Sequence, residues 1–443
     1  MKNPIDPDTL YADHLTVMIG RIERALGSSQ QDGLIIASGS QKTAFLDDMT
    51  YPFKANPHFK SLVPLTDVPD SFIVIRPGQT PRLFFHQPRD YWHLPPENPS
   101  GEWTRHWDIT PIAAEADMHN ALGDTSNLAW IGEDDATASA LGIKAVNPSG
   151  LLADLHFDRA YKTPYEIACM RTANERAALG HRAAEAAFRR GAAEFDIQQA
   201  YLAATREREQ QTPYSNIVAL NEHCAVLHYQ FYDVEPPAVI RSMLIDAGAG
   251  CRGYAADVTR TYAAENDRFG ALIERLDREQ QAIIADISPG MNYADLHHAM
   301  HERVARVLVD TGIARGAPED LVTGGATFTF LPHGLGHLIG LQTHDVGGFQ
   351  QDRAGTTRAA PEQYPALRLT RPIEDGQVFT IEPGLYFIPM LLEELKTSPL
   401  AERFDFALID QLTPYGGIRI EDNVAMIDGK PVNLTREAFA DHD

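Results

Sequence analysis

The chain has 443 residues, with 61 acidic against 38 basic side chains and a formal charge of −23 at pH 7. Hydrophobic residues make up 44% and charged residues 22%, which is typical of a folded globular protein and excludes a disordered or collagen-like chain. This acidic balance disfavours nucleic acid and anionic membranes as partners, because both bind clustered lysine and arginine.

The sequence also bears on location and redox state. The opening stretch, MKNPIDPDTLYADHL, has no apolar region typical of signal peptides, and no run reaches the ~18 apolar residues that span a bilayer. The cysteines Cys169, Cys224 and Cys251 are widely spaced without a CxxC pair, so we predict neither a disulfide framework nor a thiolate metal site. We therefore expect a cytoplasmic protein without membrane contact.

Residues 1–155 are predicted to form an α/β domain. Short β-rich runs, GLIIASG, SFIVIRPG, RLFFHQP and LAWIGE, alternate with turns and with a helical stretch, LTVMIGRIERALG. A helix start then follows, with Thr163 as N-cap, Pro164 as the first helical residue and Glu166 three residues after the cap. Because the chain exceeds the ~250–300 residues of one core, we place a domain boundary before that helix, between residues 155 and 156.

Residues 156–443 are predicted to form a larger α+β domain. Helical periodicity recurs in DIQQAYLAATRERE, GALIERLDREQQAIIADI and YADLHHAMHERVARVLVDTG. The β-type runs are YSNIVAL, CAVLHYQ, AVIRSMLIDAG, GYAADVTRTYA, GQVFTIEPGLYF and IRIEDNVAMI. Short turns between these runs predict an antiparallel sheet with helices packed on one side.

Three glycines, Gly248, Gly250 and Gly253, match the G-x-G-x-x-G pattern of dinucleotide-binding proteins. That pattern requires a helix directly after the glycines, so that its N-terminus can meet the pyrophosphate. The text that follows, YAADVTRTY, is of the β type. We therefore predict a hairpin connection here and no dinucleotide site.

Four carboxylates lie within or next to apolar segments that are predicted to be β-strands. Asp246 ends one predicted strand, where turn formation is the simplest interpretation, and Asp257 is predicted in mid-strand, where a carboxylate needs a partner. Glu382 in VFTIEPGLYF and Glu421 in GGIRIEDNVAMI are predicted within apolar strands. Each alone could face solvent, but an ionised glutamate buried there requires a cation.

Histidines are concentrated in FLPHGLGHLIGLQTHDVGGF, which contains His333, His337 and His344. Glycines between them disfavour a helix and favour a loop or a distorted strand. A single histidine in such a loop is more often a structural hydrogen-bonding residue, whereas three favour a site. Together, Asp246, Asp257, His337, Glu382 and Glu421 offer four oxygen donors and one imidazole.

Oxygen-rich donors with one nitrogen suit Mn²⁺ or Co²⁺ better than a thiolate zinc site. Four carboxylates carry too much charge for one divalent ion but balance two. Two such ions ~3.5–4 Å apart can share bridging carboxylates and hold a bridging hydroxide as nucleophile. The residues alone therefore indicate a two-metal hydrolase.

The order Asp, Asp, HGLGH, IEPG and RIED resembles the pita-bread metallopeptidases throughout residues 160–430. Three stretches, PYSNIVALNEHCAVLHY, HGLGHLIGLQTHDVGGF and GGIRIEDN, are most similar to the bacterial prolidases (Xaa-Pro dipeptidases) of that family. The resemblance implies a pita-bread C-terminal domain, with an antiparallel sheet covered by helices, and a smaller α/β N-terminal domain. It also implies cleavage of Xaa-Pro dipeptides by a metal-bridging hydroxide.

The resemblance gives the site residues separate roles. The implied metal ligands are Asp246, Asp257, His337, Glu382 and Glu421. The implied catalytic residues are His228, His344 and Glu382, with Glu382 taking up the proton and the two histidines donating hydrogen bonds to the substrate. The implied substrate-binding residues are Arg368, for the terminal carboxylate of the dipeptide, His333 and Arg419.

Further expectations follow from the same resemblance. Two divalent ions are expected, Mn²⁺ first, with Co²⁺ or Zn²⁺ as alternatives, and the protein is expected to be a homodimer whose N-terminal domain serves dimerisation and shapes the pocket. In such dimers an acidic loop can approach the neighbouring site, so Asp47 or Asp48 could act there, although a solvated loop fits equally well. The alternatives are an aminopeptidase P, a side activity on organophosphate esters, or a non-catalytic binding protein on a peptidase fold.

Overall fold

The computed structural model describes residues 6–133 and 135–440. Its N-terminal part is built on a six-stranded sheet. The elements of this part are, in order, α1 (Tyr11–Ser29), β1 (Gly33–Ala37), α2 (Pro57–Lys60), β2 (Phe72–Ile75), β3 (Arg82–His86), β4 (Asp108–Ile112), α3 (Glu115–Leu122), β5 (Leu128–Ile131), α4 (Asp135–Ala140), β6 (Ala145–Val146) and α5 (Ser149–Arg159).

The strand order of this sheet is β4-β3-β2-β1-β5-β6. The pairs β1–β2 and β2–β3 are antiparallel, whereas β1–β5, β3–β4 and β5–β6 are parallel. The runs GLIIASG, SFIVIRPG, RLFFHQP and LAWIGE become β1, β2, β3 and β5, and LTVMIGRIERALG lies in α1. The central strand β1 is buried along its whole length, which explains its continuous apolar sequence.

The remaining elements form the larger C-terminal part. They are α6 (Pro164–Arg189), α7 (Glu194–Thr205), β7 (Ile217–Leu220), β8 (Ser242–Asp246), β9 (Gly250–Cys251), β10 (Tyr254–Ala255), β11 (Thr259–Ala263), α8 (Arg268–Ala285), α9 (Tyr293–Asp310), α10 (Pro318–Thr323), β12 (Val378–Ile381), β13 (Gly384–Tyr386), α11 (Pro389–Thr397), α12 (Phe406–Leu412), β14 (Gly417–Arg419), β15 (Asp422–Ile427), β16 (Lys430–Asn433) and α13 (Leu434–Ala440).

The long helix α6 begins where the sequence predicts. Thr163 Oγ1 accepts a hydrogen bond from the backbone N–H of Glu166 at 3.4 Å, and the Glu166 carboxylate accepts one from the Thr163 N–H at 2.8 Å. Pro164 occupies the first helical turn, where its missing N–H costs nothing. This capping box stabilises the helix start by about 1 kcal/mol.

Strands of the C-terminal part pair antiparallel throughout the described residues, in the groups β11-β8-β7, β12-β15-β16, β13-β14 and β10-β9. The register sets Asp246 opposite Thr259 and Ile381 opposite Asp422. Buried faces of α8 and α9 join strands β12, β14 and β15 in one hydrophobic core. The predicted α+β architecture is confirmed.

The glycine-rich stretch forms a β-hairpin, as predicted. Strands β9 and β10 pair through Cys251 and Tyr254, and the two turn residues Arg252 and Gly253 have φ angles of 53° and 91°. Positive φ at both positions is the geometry of a tight hairpin turn, and glycine at the second position adopts it without strain. No helix follows these glycines, so the geometry needed for a dinucleotide fingerprint is missing.

The prediction of a strand over CAVLHYQ is wrong. Residues Asn221–Ala225 form a 3₁₀ helix, and His228 lies in the turn after it. The Asn221 side chain accepts a hydrogen bond from the Arg241 N–H at 2.7 Å and donates one to the Val239 carbonyl at 2.7 Å. These local bonds replace a strand ladder, because asparagine satisfies backbone groups outside regular structure.

A second hydrophobic core joins the two parts of the chain. It includes Tyr11, Phe59 and Phe85 from the N-terminal part and Tyr165 and Val378 from the C-terminal part. Helix α1 packs against both α5 and α6. Among the described residues, no helix combines the length and the apolar content needed to cross a bilayer.

Candidate metal centre and substrate cleft

The carboxylates of the candidate site lie where strands end or are interrupted. Asp246 is the last residue of β8, as predicted. The prediction that Asp257, Glu382 and Glu421 lie within strands is wrong, because they occupy the breaks between β10 and β11, β12 and β13, and β14 and β15. Pro383 follows Glu382 and has no N–H to continue a ladder, which accounts for one of these breaks.

His337 brings an imidazole nitrogen to these carboxylates. Its Nδ1–H donates to the Leu338 carbonyl at 3.0 Å, which leaves the Nε2 lone pair facing inward. Nε2 lies 3.5 Å from Asp257 Oδ2, 3.7 Å from Glu382 Oε1 and 3.9 Å from Glu421 Oε1. These side chains are mostly buried, so a nitrogen and three carboxylates converge in a region with little solvent.

This donor set fits a divalent cation. One ligand atom each from Asp257, His337 and Glu421 lies within 4.8 Å of the others. A neutral imidazole nitrogen and carboxylate oxygens are all acceptors, and acceptors gathered in a buried place require a positive charge between them. The oxygen-rich composition suits cations such as Mn²⁺, and the imidazole hydrogen-bonded to a carbonyl is the arrangement usual for a metal-binding histidine.

Asp246 is held at the edge of this group. Its Oδ1 accepts a hydrogen bond from the Tyr214 hydroxyl at 2.8 Å, and its Oδ2 accepts one from Arg419 Nη2 at 2.7 Å. Arg419 also donates to the Tyr386 hydroxyl at 2.9 Å and to Thr259 Oγ1 at 3.3 Å. The Arg419 guanidinium is therefore fully engaged with the protein.

The electrostatics of the group reflect crowded negative charge. Burial, with the charges of Asp257 and Asp246 adding to it, raises the pKa of Glu382 to about 7. Burial and the neighbouring carboxylates also raise the pKa of Glu421. The His337 ring counteracts burial and lowers the pKa of Asp257. A bound cation would relieve the repulsion that adds to the first two shifts.

The other candidate histidines, His228, His333 and His344, lie close to this group. The His344 ring is exposed, with its centroid 4.4 Å from that of His337 at an interplanar angle of 87°. Desolvation, His337 and Arg368 lower the pKa of His344 to about 4, and His228 adds to the effect. His228 and Arg368 are exposed, and among the described residues Arg368 forms no ion pair.

His333 differs from the other two histidines because both of its ring nitrogens are engaged. Nδ1–H donates to the Gly334 carbonyl at 2.8 Å, and Nε2 lies 2.9 Å from the Tyr386 hydroxyl. Nδ1 is also 3.8 Å from Glu382 Oε2, which places the ring at the edge of the carboxylate group.

The sequence analysis missed three hydroxyl groups that orient the candidate ligands. Tyr214 contacts Asp246, and Tyr386 links His333 to Arg419. Thr259 Oγ1 donates to Glu421 Oε2 at 2.9 Å. Tyrosine and threonine are common in β-strand sequences, so nothing in the sequence alone distinguished these residues from ordinary strand residues. The nearest signal is PYSNIVAL, which contains Tyr214 and belongs to a stretch that resembles the prolidases.

Residues 168–428 match the model of metallopeptidase family M24, and residues 9–157 match the model described as the N-terminal domain of Xaa-Pro dipeptidase. The chain belongs to metallopeptidase family M24. A Xaa-Pro dipeptidase of Pectobacterium carotovorum is 48% identical over 434 residues, covering 97% of this chain and 98% of the relative. A Xaa-Pro dipeptidase of Yersinia pseudotuberculosis is equally similar over the same lengths. The family is one of metal-dependent peptidases, so divalent cations belong to its chemistry.

Solved structures support the fold independently. Proline aminopeptidase P II from Yersinia pestis superposes with a TM-score of 0.69 at 23% identity, covering 96% of each chain. Pseudomonas aeruginosa aminopeptidase PepP gives a TM-score of 0.72 at 21% identity, covering 96% of this chain and 97% of that one. At these identities the likeness concerns the fold, and it agrees with the pita-bread architecture expected from the sequence.

Proposed function

We propose that this protein is a metal-dependent Xaa-Pro dipeptidase. The proposal draws on its similarity, over nearly the whole chain, to proteins named Xaa-Pro dipeptidase. The observation that carries the metal dependence is the inward lone pair of His337 Nε2, which faces carboxylates of Asp257, Glu382 and Glu421 at 3.5, 3.7 and 3.9 Å. Burial and mutual repulsion raise the pKa of Glu382 and Glu421, and divalent cations would neutralise this concentrated negative charge.

We propose that two divalent ions are held by the side chains of Asp246, Asp257, His337, Glu382 and Glu421, with Mn²⁺ as the working ion and Co²⁺ or Zn²⁺ as alternatives. Four carboxylates offer the charge that two such ions balance. When bound, the ions would lower the pKa of a water molecule and stabilise negative charge on a substrate oxygen.

Glu382 is proposed as the proton-transferring group. Its side chain is 18% exposed, against 6% or less for Asp257, His337 and Glu421, so it has the best access to water and substrate among these four. The carboxylate would accept a proton from the attacking water and return it to the nitrogen of the departing proline. The exposed rings of His228 and His344 would donate hydrogen bonds to the substrate carbonyl as charge develops on it.

The cleft also offers a place for the C-terminal carboxylate of a dipeptide. Arg368 is exposed and lowers the pKa of His344, so its charge is felt at the catalytic histidine. A planar guanidinium binds a carboxylate through two parallel hydrogen bonds, which would favour substrates that end directly after proline. His333 would line the pocket, and Arg419, which is engaged with Asp246, would orient that ligand.

Two assays test this function. Hydrolysis of Gly-Pro by the metal-loaded protein should stop on chelation and return with Mn²⁺, and a Xaa-Pro tripeptide should be cleaved much more slowly. A preference for the tripeptide would instead identify an aminopeptidase P.

Replacement of Arg368 by Met should raise KM for Gly-Pro and leave metal content unchanged. Hydrolysis of organophosphate esters stays a prediction.

The assembly and location belong to the same proposal. We propose a homodimer in the cytoplasm, with residues 1–155 serving dimerisation and shaping the pocket and residues 156–443 carrying the chemistry. The loop that carries Asp47 and Asp48 is exposed in the described chain, as is required of a segment that approaches a neighbouring subunit. Light scattering of the purified protein would test the stoichiometry.

A further inference from the structure

A cavity of about 610 Å³ lies between the N-terminal part and the catalytic part. Its walls come from four stretches, residues 50–55, 206–213, 250–255 and 341–343, together with Lys60 and a few neighbours. None of Asp246, Asp257, His337, Glu382 and Glu421 lines it, so it is separate from the candidate metal centre.

Positive charge dominates this cavity. The basic side chains that line it are Lys54, Lys60, Arg176, Arg206, Arg208 and Arg252. The acidic side chains that line it are Asp67 and Glu207. This local excess is opposite in sign to the chain as a whole, whose formal charge is −23.

Within the part of the chain that the structure describes, most of these cations form no ion pair with a carboxylate. Arg208 lies 3.6 Å from Asp67, and Arg252 lies 2.7 Å from Asp8. The other four form no ion pair among the described residues, and they are Lys54, Lys60, Arg176 and Arg206. Lys54 donates to the Thr212 carbonyl at 2.6 Å and Arg176 to the Gly250 carbonyl at 2.8 Å, which satisfies hydrogen bonds but does not neutralise charge.

Glu207 interacts electrostatically with Lys54 and Arg176, but one carboxylate does not balance four cations. Its Oε1 accepts a hydrogen bond from the Gly250 N–H at 2.8 Å, which fixes it against the hairpin wall. Deeper in the cavity, burial together with the charges of Arg159 and Lys54 lowers the pKa of Lys60 to about 8. Like charges have therefore been brought together at a cost that a bound anion would remove.

We propose that this cavity is a binding site for a small multivalent anion, such as a metabolite carrying two phosphate groups. Several cations on different walls suit a ligand whose negative groups are separated, whereas the net charge of −23 on the chain disfavours a long polyanion such as nucleic acid. The inference does not rest on dipeptidase activity.

Residues 341–345 run from the wall of the cavity to the candidate catalytic residue His344. Lys60 Nζ lies 3.5 Å from the Leu341 carbonyl, and Gln342 Oε1 accepts a hydrogen bond from Arg159 Nη2 at 3.0 Å. Arg159 also pairs with Asp345, the residue after His344. An anion in this cavity would therefore lie against the segment that presents His344 to the cleft.

Calorimetric titration of the metal-loaded protein tests the site. Ethane-1,2-disulfonate is the main probe, because it carries two negative groups and chelates metal poorly. The double variant Lys54→Gln/Arg206→Gln should bind it about tenfold more weakly or not at all, since two charges of the cavity are removed. The control Lys144→Gln/Arg190→Gln removes two exposed cations that form no ion pair among the described residues, and it should bind as the unaltered protein does.

Two further probes identify the ligand class. Inorganic pyrophosphate tests a free inorganic anion, and a hexose 1,6-bisphosphate tests a phosphorylated metabolite, each against the same variants. Where the double variant is unstable, Arg206→Gln alone serves, since that side chain is exposed. Absence of binding by all three probes to the unaltered protein would overturn the proposal. So would binding that persists in the cavity variants but is lost on replacing His337, because the anion would then be at the metal centre.

Discussion

At the scale of single residues, the candidate metal centre depends on side chains that hold other side chains. His337 is fixed as one tautomer by the Leu338 carbonyl, and Asp246 is fixed by two donors, Tyr214 and Arg419. Such partners align a ligand before the cation arrives and so reduce the entropy lost on binding. The hydroxyl of Tyr214 is the simplest of them to remove without changing the charge of the site.

We expect Tyr214→Phe to weaken metal binding by about 10–100-fold, because Asp246 loses one of its two orienting donors. Calorimetric titration of the metal-free protein with Mn²⁺ measures this directly. Activity at limiting metal should fall and should recover when metal is added in excess. An unchanged affinity would show that Arg419 alone orients Asp246.

A matched control exists in Tyr415. Its hydroxyl donates to Asp267 Oδ2 at 2.5 Å, so Tyr415→Phe also removes a tyrosine–aspartate hydrogen bond. That pair involves the N-cap of α8 and none of the candidate ligands. Tyr415→Phe should therefore lower stability slightly and leave metal affinity as it was.

Buried histidines on α9 make the stability of the protein depend on pH. His301 and His297 are buried, their Nε2 atoms are 3.3 Å apart, and His301 Nδ1 lies 2.9 Å from Thr327 Oγ1. Burial, with the charge of His298 adding to it, lowers the pKa of His301 to about 4. In the unfolded chain the same group titrates near its ordinary value of about 6.5.

The sign of the effect follows from these two values. Between pH about 6.5 and about 4 the unfolded chain binds a proton at His301 that the folded chain does not bind. The free energy of unfolding therefore decreases as the pH is lowered through this range, by up to about 1.4 kcal/mol per pH unit. We expect His301→Phe to have a shallower pH dependence than the unaltered protein. Urea unfolding at several pH values in this window measures it, and identical slopes would contradict the assignment.

At the scale of elements, one buried carboxylate organises the segment that carries His228. Glu194, at the start of α7, accepts hydrogen bonds from the Leu220 N–H, the His223 Nδ1–H and the Asp233 N–H, each at 2.8 Å, and from the Tyr229 hydroxyl at 2.7 Å. Its two oxygens therefore tie together both ends of residues 220–233. His228 lies on this segment, next to Tyr229.

We expect Glu194→Ala to lower both stability and turnover. The buried N–H of Leu220 and the partly buried N–H of Asp233 would lose their acceptor, at about 2 kcal/mol in the free energy of unfolding. With His228 no longer held, kcat for Gly-Pro should fall more than KM rises. Glu194→Gln, which keeps one carbonyl oxygen, should recover part of the loss.

Glu185→Ala is the control for that experiment. Glu185 forms a half-exposed pair with Arg189 at 3.2 Å, one helical turn apart on α6, and such pairs contribute little. Steady-state kinetics and limited proteolysis of the exposed stretch around Phe231 report on the segment in each variant. Normal kcat in Glu194→Ala would show that His228 does not depend on this carboxylate.

The strands show which parts of the fold could be predicted from the sequence and which could not. Apolar runs predicted β8, β12 and β15 well, because burial on both faces leaves a clear signal. The breaks that contain Asp257 and Glu421 were not predicted. They depend on pairing between distant strands, such as the bridge between Thr259 and Glu421, and a single sequence carries no local signal for such pairing.

At the scale of the whole molecule, the exposed loop around Asp47 and Asp48 stands out for its apolar content. Phe45, Leu46 and Met49 are 87%, 91% and 67% exposed. Large apolar side chains gathered on one exposed loop are typical of a surface that another chain covers. This supports the proposed homodimer, with this loop as part of the contact.

We expect Phe45→Ser/Leu46→Ser to shift the protein from dimer to monomer. Burying two such side chains contributes a few kcal/mol, so their loss should weaken association by about 100-fold or more. Sedimentation velocity over a range of protein concentrations measures the change. Met390→Ser, which alters an exposed apolar side chain on α11, is the control and should leave the dimer intact. A stable dimer in both variants would place the contact elsewhere.

The order and spacing of the candidate ligands predicted a metal centre, and the structure brings Asp257, His337 and Glu421 together, whereas the basic cavity was not predictable in the same way. Its walls come from residues near 54, 60, 176, 206 and 342, which are far apart in sequence and belong to no motif. Lysine and arginine on a surface are ordinary, and only their meeting in three dimensions gives them a shared function.

The hydrophobic core that contains both Phe59 and Val378 has a consequence for how the chain can be divided. Cutting the chain between α5 and α6 would leave each fragment with an exposed apolar face that the other one normally covers, so we expect both fragments to aggregate. We therefore expect the two parts to be stable only together, so an engineered version of the protein has to retain both.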